Sequence, residues 1–143
     1  MVLTAKDVLE KSFLSLKAST SASEAARLMK SSHHGFVVVI DEKGKPIGIV
    51  TEWDYLSKVT GEGKDASRLT LEDLMTTNLV SVKAEESLDS VAQIMSEKGV
   101  RRLLVMQEGK VIGVVTARMV LGRLREHIDR VSSQIARLQA PKL

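Results

Sequence analysis

Residues 48–54 read GIVTEWD, and residues 113–119 read GVVTARM. Each stretch starts with glycine, two aliphatic residues and threonine, but the last position holds Asp54 in one stretch and Met119 in the other. The likeness extends outward, because residues 7–9 match residues 73–75 at an offset of 66, with a slip of one residue before the quoted stretches. An internal repeat of this kind predicts two copies of one supersecondary unit.

Each copy has the same predicted order of strands and helices. A short strand precedes an amphipathic helix, which in the second copy has apolar residues at i, i+3, i+4 and i+7 over 88–95. Two apolar runs joined by a glycine-containing turn then predict a β-hairpin, and a last helix begins at residues 52 and 117. We therefore predict an α/β (α+β) fold of two pseudo-symmetric β-α-β-β-α repeats packed sheet to sheet, because neither half could bury its uninterrupted apolar strands alone.

The start of each copy carries a helix signal. Thr4-x-x-Asp7 and Thr70-x-x-Asp73 resemble capping boxes, with aspartate in place of the usual glutamate, and each predicts a short helix. The predicted organisation is a first repeat, a linker, a second repeat and a C-terminal amphipathic helix with its tail, at 1–58, 59–69, 70–123 and 124–143.

Composition argues against several classes of function. The 143 residues include no cysteine, which excludes disulfides, thiolate metal sites and cysteine nucleophiles. No Ser-His-Asp grouping, catalytic carboxylate pair, Walker loop or GxGxxG is present, so we expect no enzymatic activity. His33 and His34 have no carboxylate at a metal-binding spacing, so we expect no metal site. Without a membrane-length apolar run or a signal peptide, the sequence predicts a cytoplasmic protein that has no membrane contact.

Two copies that each end in Gly-h-h-Thr-x-x-Asp (h, aliphatic), or a remnant of it, resemble a pair of CBS domains, the family named after cystathionine β-synthase. The resemblance covers about residues 3–123 and indicates a stand-alone Bateman module, as such pairs are called. It implies a regulatory protein that binds AMP, ADP or ATP, or in some members S-adenosylmethionine, in a cleft between the paired sheets. It implies no catalytic cofactor.

The resemblance also assigns roles to the first copy's motif. It implies that Gly48 lets its strand approach the ligand, that the Thr51 hydroxyl bonds a phosphate, and that Asp54 accepts hydrogen bonds from both ribose hydroxyls. A fixed carboxylate suits the last role, because it can accept two short charge-assisted hydrogen bonds. Met119 cannot do so, which leaves the second copy's motif incomplete.

Further site residues are implied in the second copy, where the chain enters a strand as Val100-Arg101-Arg102. Arginine at this point often meets the phosphates in the family, although adjacent strand residues point to opposite faces, so only one of the two would be central. We predict one nucleotide per chain. The predicted nucleotide-binding residues are Gly48, Thr51, Asp54, Thr76, Val80, Val100, Arg101 and Arg102.

Simpler interpretations stay open for this motif. Thr51 is a suitable N-cap residue, and Asp54 could cap the same helix without binding a ligand. Thr51 could also do both, using its hydroxyl for the helix when no ligand is bound.

The C-terminal segment carries a narrow apolar stripe. Its residues are spaced by three and four in turn, which is the a/d pattern of a coiled coil. They are Leu121, Leu124, Ile128, Val131, Ile135 and Leu138. The helix should end near Ala140, before Pro141. It could fold back on its own domain, but a narrow stripe on a helix that also carries several arginines favours a partner helix.

Three functions remain under consideration. The leading one is an adenine-nucleotide sensor that forms a homodimer, or a larger assembly through the 121–138 helix, and acts in trans on a target protein that the sequence does not identify. The alternative is a constitutive oligomerisation module with vestigial pockets. Nucleic-acid binding through the basic helix is the weakest candidate, because no aromatic residues accompany the arginines and the net charge is only +3.

Overall fold

The computed structural model describes residues 2–139, except for the side chain of Gln139. The helices are α1 (Ala5–Val8), α2 (Ala22–Ser32), α3 (Glu52–Lys58), α4 (Leu71–Leu74), α5 (Leu88–Lys98) and α6 (Ala117–Gln139). The strands are β1 (Leu14–Lys17), β2 (Phe36–Ile40), β3 (Pro46–Thr51), β4 (Ser81–Lys83), β5 (Arg102–Gln107) and β6 (Lys110–Thr116). The predicted α/β composition and the C-terminal helix are confirmed. Among the residues described, no helix combines the length and the apolar character that crossing a bilayer requires.

The chain forms two compact units. Among the described residues, the first unit is 11–79, and the second unit is 2–10 together with 80–139. Each contains one three-stranded sheet, in the order β1-β2-β3 or β4-β5-β6. In both sheets the first two strands are parallel and the last two form an antiparallel hairpin.

The central strand of each sheet is buried, as its uninterrupted apolar run predicts. In the first unit Val37, Val39 and Val50 pack with α2 and α4 in one core. In the second unit Leu103 and Val105 pack with α1, α5 and the start of α6. The hairpin turns need positive φ: Gly44 supplies it in the first sheet (83°), and Glu108 and Gly109 supply it in the second (51° and 76°).

Each compact unit contains the short first helix of the other sequence repeat. Helix α1 belongs to the second unit, and α4 belongs to the first. After α4, Ile49 and Thr76 exchange backbone hydrogen bonds of 3.0 and 2.9 Å. After α1, Glu10 and Val114 exchange the equivalent bonds at 2.8 and 3.0 Å. The sequence repeats and the compact units are therefore different divisions of the chain.

Both predicted capping boxes are confirmed at the starts of α1 and α4. The Thr4 N–H donates to Asp7 Oδ2 at 2.8 Å, and the Thr70 N–H donates to Asp73 Oδ2 at the same distance. The last helix of the second repeat and the C-terminal stripe form one continuous helix, α6. Its predicted end near Ala140 lies outside the described residues.

Candidate functional site

Asp54 lies in the first turn of α3, which begins directly after β3. Its Oδ2 accepts hydrogen bonds from the Thr51 N–H at 2.8 Å and from Thr51 Oγ1 at 3.4 Å. Its Oδ1 meets Lys58 Nζ at 3.0 Å. Asp54 is only 6% exposed and is the one buried charged residue in the described part of the chain. Its carboxylate is therefore held in a fixed orientation.

These contacts confirm that Thr51 and Asp54 cap α3. The capping role does not use all of the carboxylate, because an ionised carboxyl offers about four acceptor positions. In the capping box the Thr51 hydroxyl oxygen accepts from the Asp54 N–H, but as a donor the hydroxyl is weakly held, since its contact with Asp54 Oδ2 is 3.4 Å long, near the limit for a hydrogen bond. A ligand could therefore take both the hydroxyl and part of the Asp54 carboxylate while the 2.8 Å backbone bond stays in place.

The corresponding turn at the start of α6 retains half of this arrangement. The Met119 N–H donates to Thr116 Oγ1 at 3.2 Å, but a methionine side chain returns no hydrogen bond to the threonine N–H. Asp7 and Asp73 complete the same box at the starts of α1 and α4, yet both are exposed. Burial therefore distinguishes Asp54 from the other Thr-x-x-Asp aspartates.

Gly48 and Thr76 lie near each other in the first unit, because Thr76 forms a β-bridge with Ile49, the residue after Gly48. A Cβ at Gly48 would lie 2.6 Å from Met75 Sδ and 2.9 Å from Met75 Cβ. Gly48 is thus required by packing within its own unit, whatever its role toward a ligand. At the equivalent position of the second unit, a Cβ at Gly113 would lie 2.7 Å from the Glu10 carbonyl oxygen. The sequence reasoning missed this role, because each glycine packs against a segment of the other sequence copy and no local pattern indicates that pairing.

The other four predicted residues lie in the second unit. Val80 and Val100 are half-buried and pack against its core. Arg101 is exposed, and its carbonyl oxygen accepts the Ala117 N–H at 2.8 Å. Arg102 is half-buried at the first position of β5, opposite Thr116. The two arginines thus differ in exposure, as expected for adjacent residues where a strand begins.

Each unit therefore contains half of the predicted set. Gly48, Thr51, Asp54 and Thr76 belong to the first unit, and Val80, Val100, Arg101 and Arg102 belong to the second. Within residues 2–139, no three histidine, aspartate or glutamate side chains form a group that could hold a metal ion.

Tyr55 is a further notable side chain that the sequence reasoning did not single out. Its hydroxyl donates to the Ala22 carbonyl oxygen at 2.7 Å, joining α3 to α2. Burial raises the pKa of Tyr55 to about 12. It also lines an open cavity of about 510 Å³, together with His33, His34 and Glu52.

Comparison with known proteins identifies the repeats. The family model described as CBS domain matches residues 5–61 and again residues 71–126. An uncharacterised protein of Methanopyrus kandleri is 32% identical over 116 residues, which are 80% of this chain and 59% of that protein. The chain thus spans less than two thirds of the length of this relative.

Solved structures show the same architecture. An uncharacterised conserved protein from Pyrococcus horikoshii superposes with a TM-score of 0.78 at 32% identity, covering 87% of this chain and 94% of that one. A CBS domain pair in complex with 5′-methylthioadenosine and S-adenosyl-L-methionine superposes with a TM-score of 0.75 at 29% identity, covering 89% of this chain and 98% of that pair.

Proposed function

Because the chain belongs to the CBS-domain family, whose pairs are typically regulatory ligand-binding modules, we propose that it is a non-catalytic sensor of an adenine nucleotide. One ligand binds per chain, through the intact Gly48, Thr51 and Asp54 motif of the first repeat. Binding changes the interaction of the protein with a target in trans. By linkage, this regulation is only as strong as the difference in ligand affinity between the two states.

The observation that carries the proposal is the buried Asp54 carboxylate, which the Thr51 N–H and Lys58 hold in place. A ribose presents two adjacent hydroxyl donors, and a fixed carboxylate can accept both. The Thr51 O–H, whose 3.4 Å contact with Asp54 Oδ2 is weak, donates instead to a phosphate oxygen. Met119 offers no carboxylate, so the second repeat contributes no equivalent ribose contact.

The choice among adenosine-containing ligands depends on charge. The CBS pair solved with 5′-methylthioadenosine and S-adenosyl-L-methionine holds ligands that carry no phosphate. This chain has Arg101 and Arg102 among the predicted contacts, and guanidinium groups favour phosphate oxygens. We therefore propose that AMP, ADP or ATP binds in preference to S-adenosylmethionine, with Val80, Val100 and Thr76 next to the base.

A thermal-shift panel tests the ligand class. AMP, ADP, ATP, S-adenosylmethionine and the matching guanine nucleotides are added separately to the whole chain. At about 100 times its dissociation constant, a ligand stabilises the folded state by about 2.7 kcal/mol, which raises Tm by several degrees. We expect this rise with at least one adenine nucleotide and a smaller rise with its guanine analogue. No rise with any adenosine compound contradicts the proposal.

Constitutive assembly is the second candidate function, and exposed apolar side chains on two helices favour it. Trp53 and Leu56 on α3 are largely exposed, as is the stripe on α6. A homodimer is compatible with both candidates, so the ligand panel separates the two functions whereas the oligomeric state does not.

A further inference from the structure

The outer part of α6 makes little contact with the rest of its own unit. Each of residues 125–138 is exposed, although the segment is helical throughout. A helix of this length has marginal stability in water unless packing supports it, because most helical stability in proteins comes from burying an apolar face. A packing partner for this segment is therefore needed.

The partner surface is the apolar stripe itself. Leu121, Ile128, Val131, Ile135 and Leu138 are between 38% and 79% exposed. Leu124 is half-buried and packs against the core of the second unit, so it anchors the stripe to the folded domain. The stripe extends for about 27 Å along the helix at 1.5 Å per residue.

The residues beside the stripe favour another helix as its partner. In heptad terms the flanking e and g positions hold Arg125, His127, Ser132 and Gln134, of which only Arg125 carries a permanent charge. The other charged side chains lie at the outer b, c and f positions, and they are Arg123, Glu126, Asp129, Arg130 and Arg137. Contact surfaces are depleted of charge at their centre, and a two-residue-wide seam is the width that one facing helix covers.

The identity of the seam residues indicates a second copy of this chain. The a positions are Leu121, Ile128 and Ile135, and the d positions are Leu124, Val131 and Leu138. β-Branched residues at a with leucine at d favour parallel two-stranded coiled coils, and four of the six positions follow this rule. In a parallel pair His127 faces Ser132 of the other copy, and no like charges meet across the seam.

We propose that residues 121–138 of α6 pair with the same residues of a second copy in a parallel coiled coil. The contact is isologous, so the same surface serves both chains and closes a two-fold dimer. The proposal is independent of nucleotide binding, since it uses none of the predicted nucleotide-binding residues.

Single-cysteine variants test the pairing and its direction, because the chain contains no native cysteine. Ile135→Cys places a thiol at an a position, which faces itself in a parallel pair. In an antiparallel pair, where Ile135 faces Leu124, the two thiols would lie about 16 Å apart along the axis, beyond the roughly 7 Å Cα separation that a disulfide tolerates. Ser133→Cys, at an outer f position, is the matched control.

Under mild oxidation we expect most of Ile135→Cys, but little of Ser133→Cys, to migrate as a disulfide-linked dimer. Equal cross-linking of the two variants would contradict pairing through the a and d positions. Cross-linking between Leu124→Cys and Ile135→Cys in a mixture, without self-linking of Ile135→Cys, overturns the parallel arrangement.

The assembly mass gives a second test. Ile128→Lys with Ile135→Lys puts charges at two a positions, and Glu126→Lys with Ser133→Lys adds lysines at two f positions seven residues apart as the control. By light scattering after size exclusion we expect the first double variant to have half the mass of the wild type and the second to keep the full mass. A wild type that is monomeric at 100 μM, or equal masses for all three proteins, contradicts the proposal. Nucleotide-induced thermal shifts should be the same in all three.

Discussion

The backbone N–H of Thr51 donates to Asp54 Oδ2 at 2.8 Å, while Lys58 meets the other oxygen of the same carboxylate at 3.0 Å. The Asp54 carboxylate thus caps α3 and forms an ion pair with Lys58, and its two oxygens have room to accept further hydrogen bonds. The capping and ion-pair roles are observed, and the ligand role is proposed. Because the three roles share one carboxylate, substitutions at Asp54 should alter stability and binding together.

Comparison with an equivalent aspartate separates the structural role of Asp54. Asp73→Ala removes an exposed capping box of the same geometry and should lower the free energy of unfolding by about 1 kcal/mol. Asp54→Ala should cost more, since it also leaves Lys58 without its buried partner. Urea denaturation of both variants measures the difference. Equal losses would show that the burial of Asp54 and its ion pair add nothing to its cap.

Tyr55 should make the protein lose stability in strong alkali. Its folded-state pKa is about 12, whereas the unfolded side chain ionises near 10. The unfolded state therefore releases this proton first, and the tyrosine's contribution to stability, intact below pH 10, falls as the pH rises from 10 toward 12. Tyr55 is the only tyrosine, so its phenolate absorbance reports the titration directly. A midpoint near 10 in the folded protein would contradict the assigned burial.

Tyr55→Phe provides the control for that titration. It should remove the phenolate signal and flatten the alkaline loss of stability. The substitution should also lower the free energy of unfolding at neutral pH by about 1 kcal/mol, because the Ala22 carbonyl oxygen loses the hydrogen bond that the Tyr55 hydroxyl donates.

Two glycine-to-alanine substitutions in the second unit should have opposite effects. At Gly113 a Cβ would meet the Glu10 carbonyl oxygen at 2.7 Å, and a backbone atom cannot move aside as the end of a flexible side chain can, so we expect the free energy of unfolding to fall by about 1–3 kcal/mol. At Gly122 on α6 a Cβ meets nothing within 4 Å, and alanine should stabilise the helix by about 0.5–1 kcal/mol. Thermal unfolding gives both values. Destabilisation by Gly122→Ala would indicate that this face of α6 is covered.

The ends of α2 and α5 allow a similar comparison. Each ends on a left-handed residue, His33 at φ 58° and Gly99 at φ 64°. We expect His33→Gly to leave stability unchanged or raise it by up to about 1 kcal/mol, whereas Gly99→Ala should lower it by a similar amount. Denaturant titration measures both, and a gain on Gly99→Ala would contradict the observed helix end.

Much of the fold could be predicted from the sequence, because its signals are local. The capping boxes at Thr4 and Thr70 and the hairpin turns each depend on residues a few positions apart. The exchange of α1 and α4 between the units could not be read in this way. It depends on long-range pairs such as Glu10 with Val114, which no local pattern specifies.

The residues of the candidate site could be predicted from the sequence, but the contacts that they make could not. The asymmetry between Asp54 and Met119 is a property of the sequence alone. The partnership with Lys58 and the burial of Asp54 depend on how α3 packs. The role of Gly48 beside Met75 was also hidden, since a glycine in this motif was already explained by the family resemblance.

Isothermal titration of the whole chain with AMP, ADP and ATP, repeated on Asp54→Ala and Asp73→Ala, tests the proposed ligand site most directly. We predict one site per chain for at least one nucleotide. We also predict an affinity reduced about ten- to a hundred-fold in Asp54→Ala, corresponding to about 1.5–3 kcal/mol of charge-assisted hydrogen bonding, and an unchanged affinity in Asp73→Ala. Two equivalent sites per chain, or equal affinities for Asp54→Ala and the wild type, would contradict the assignment of a single site to the first repeat.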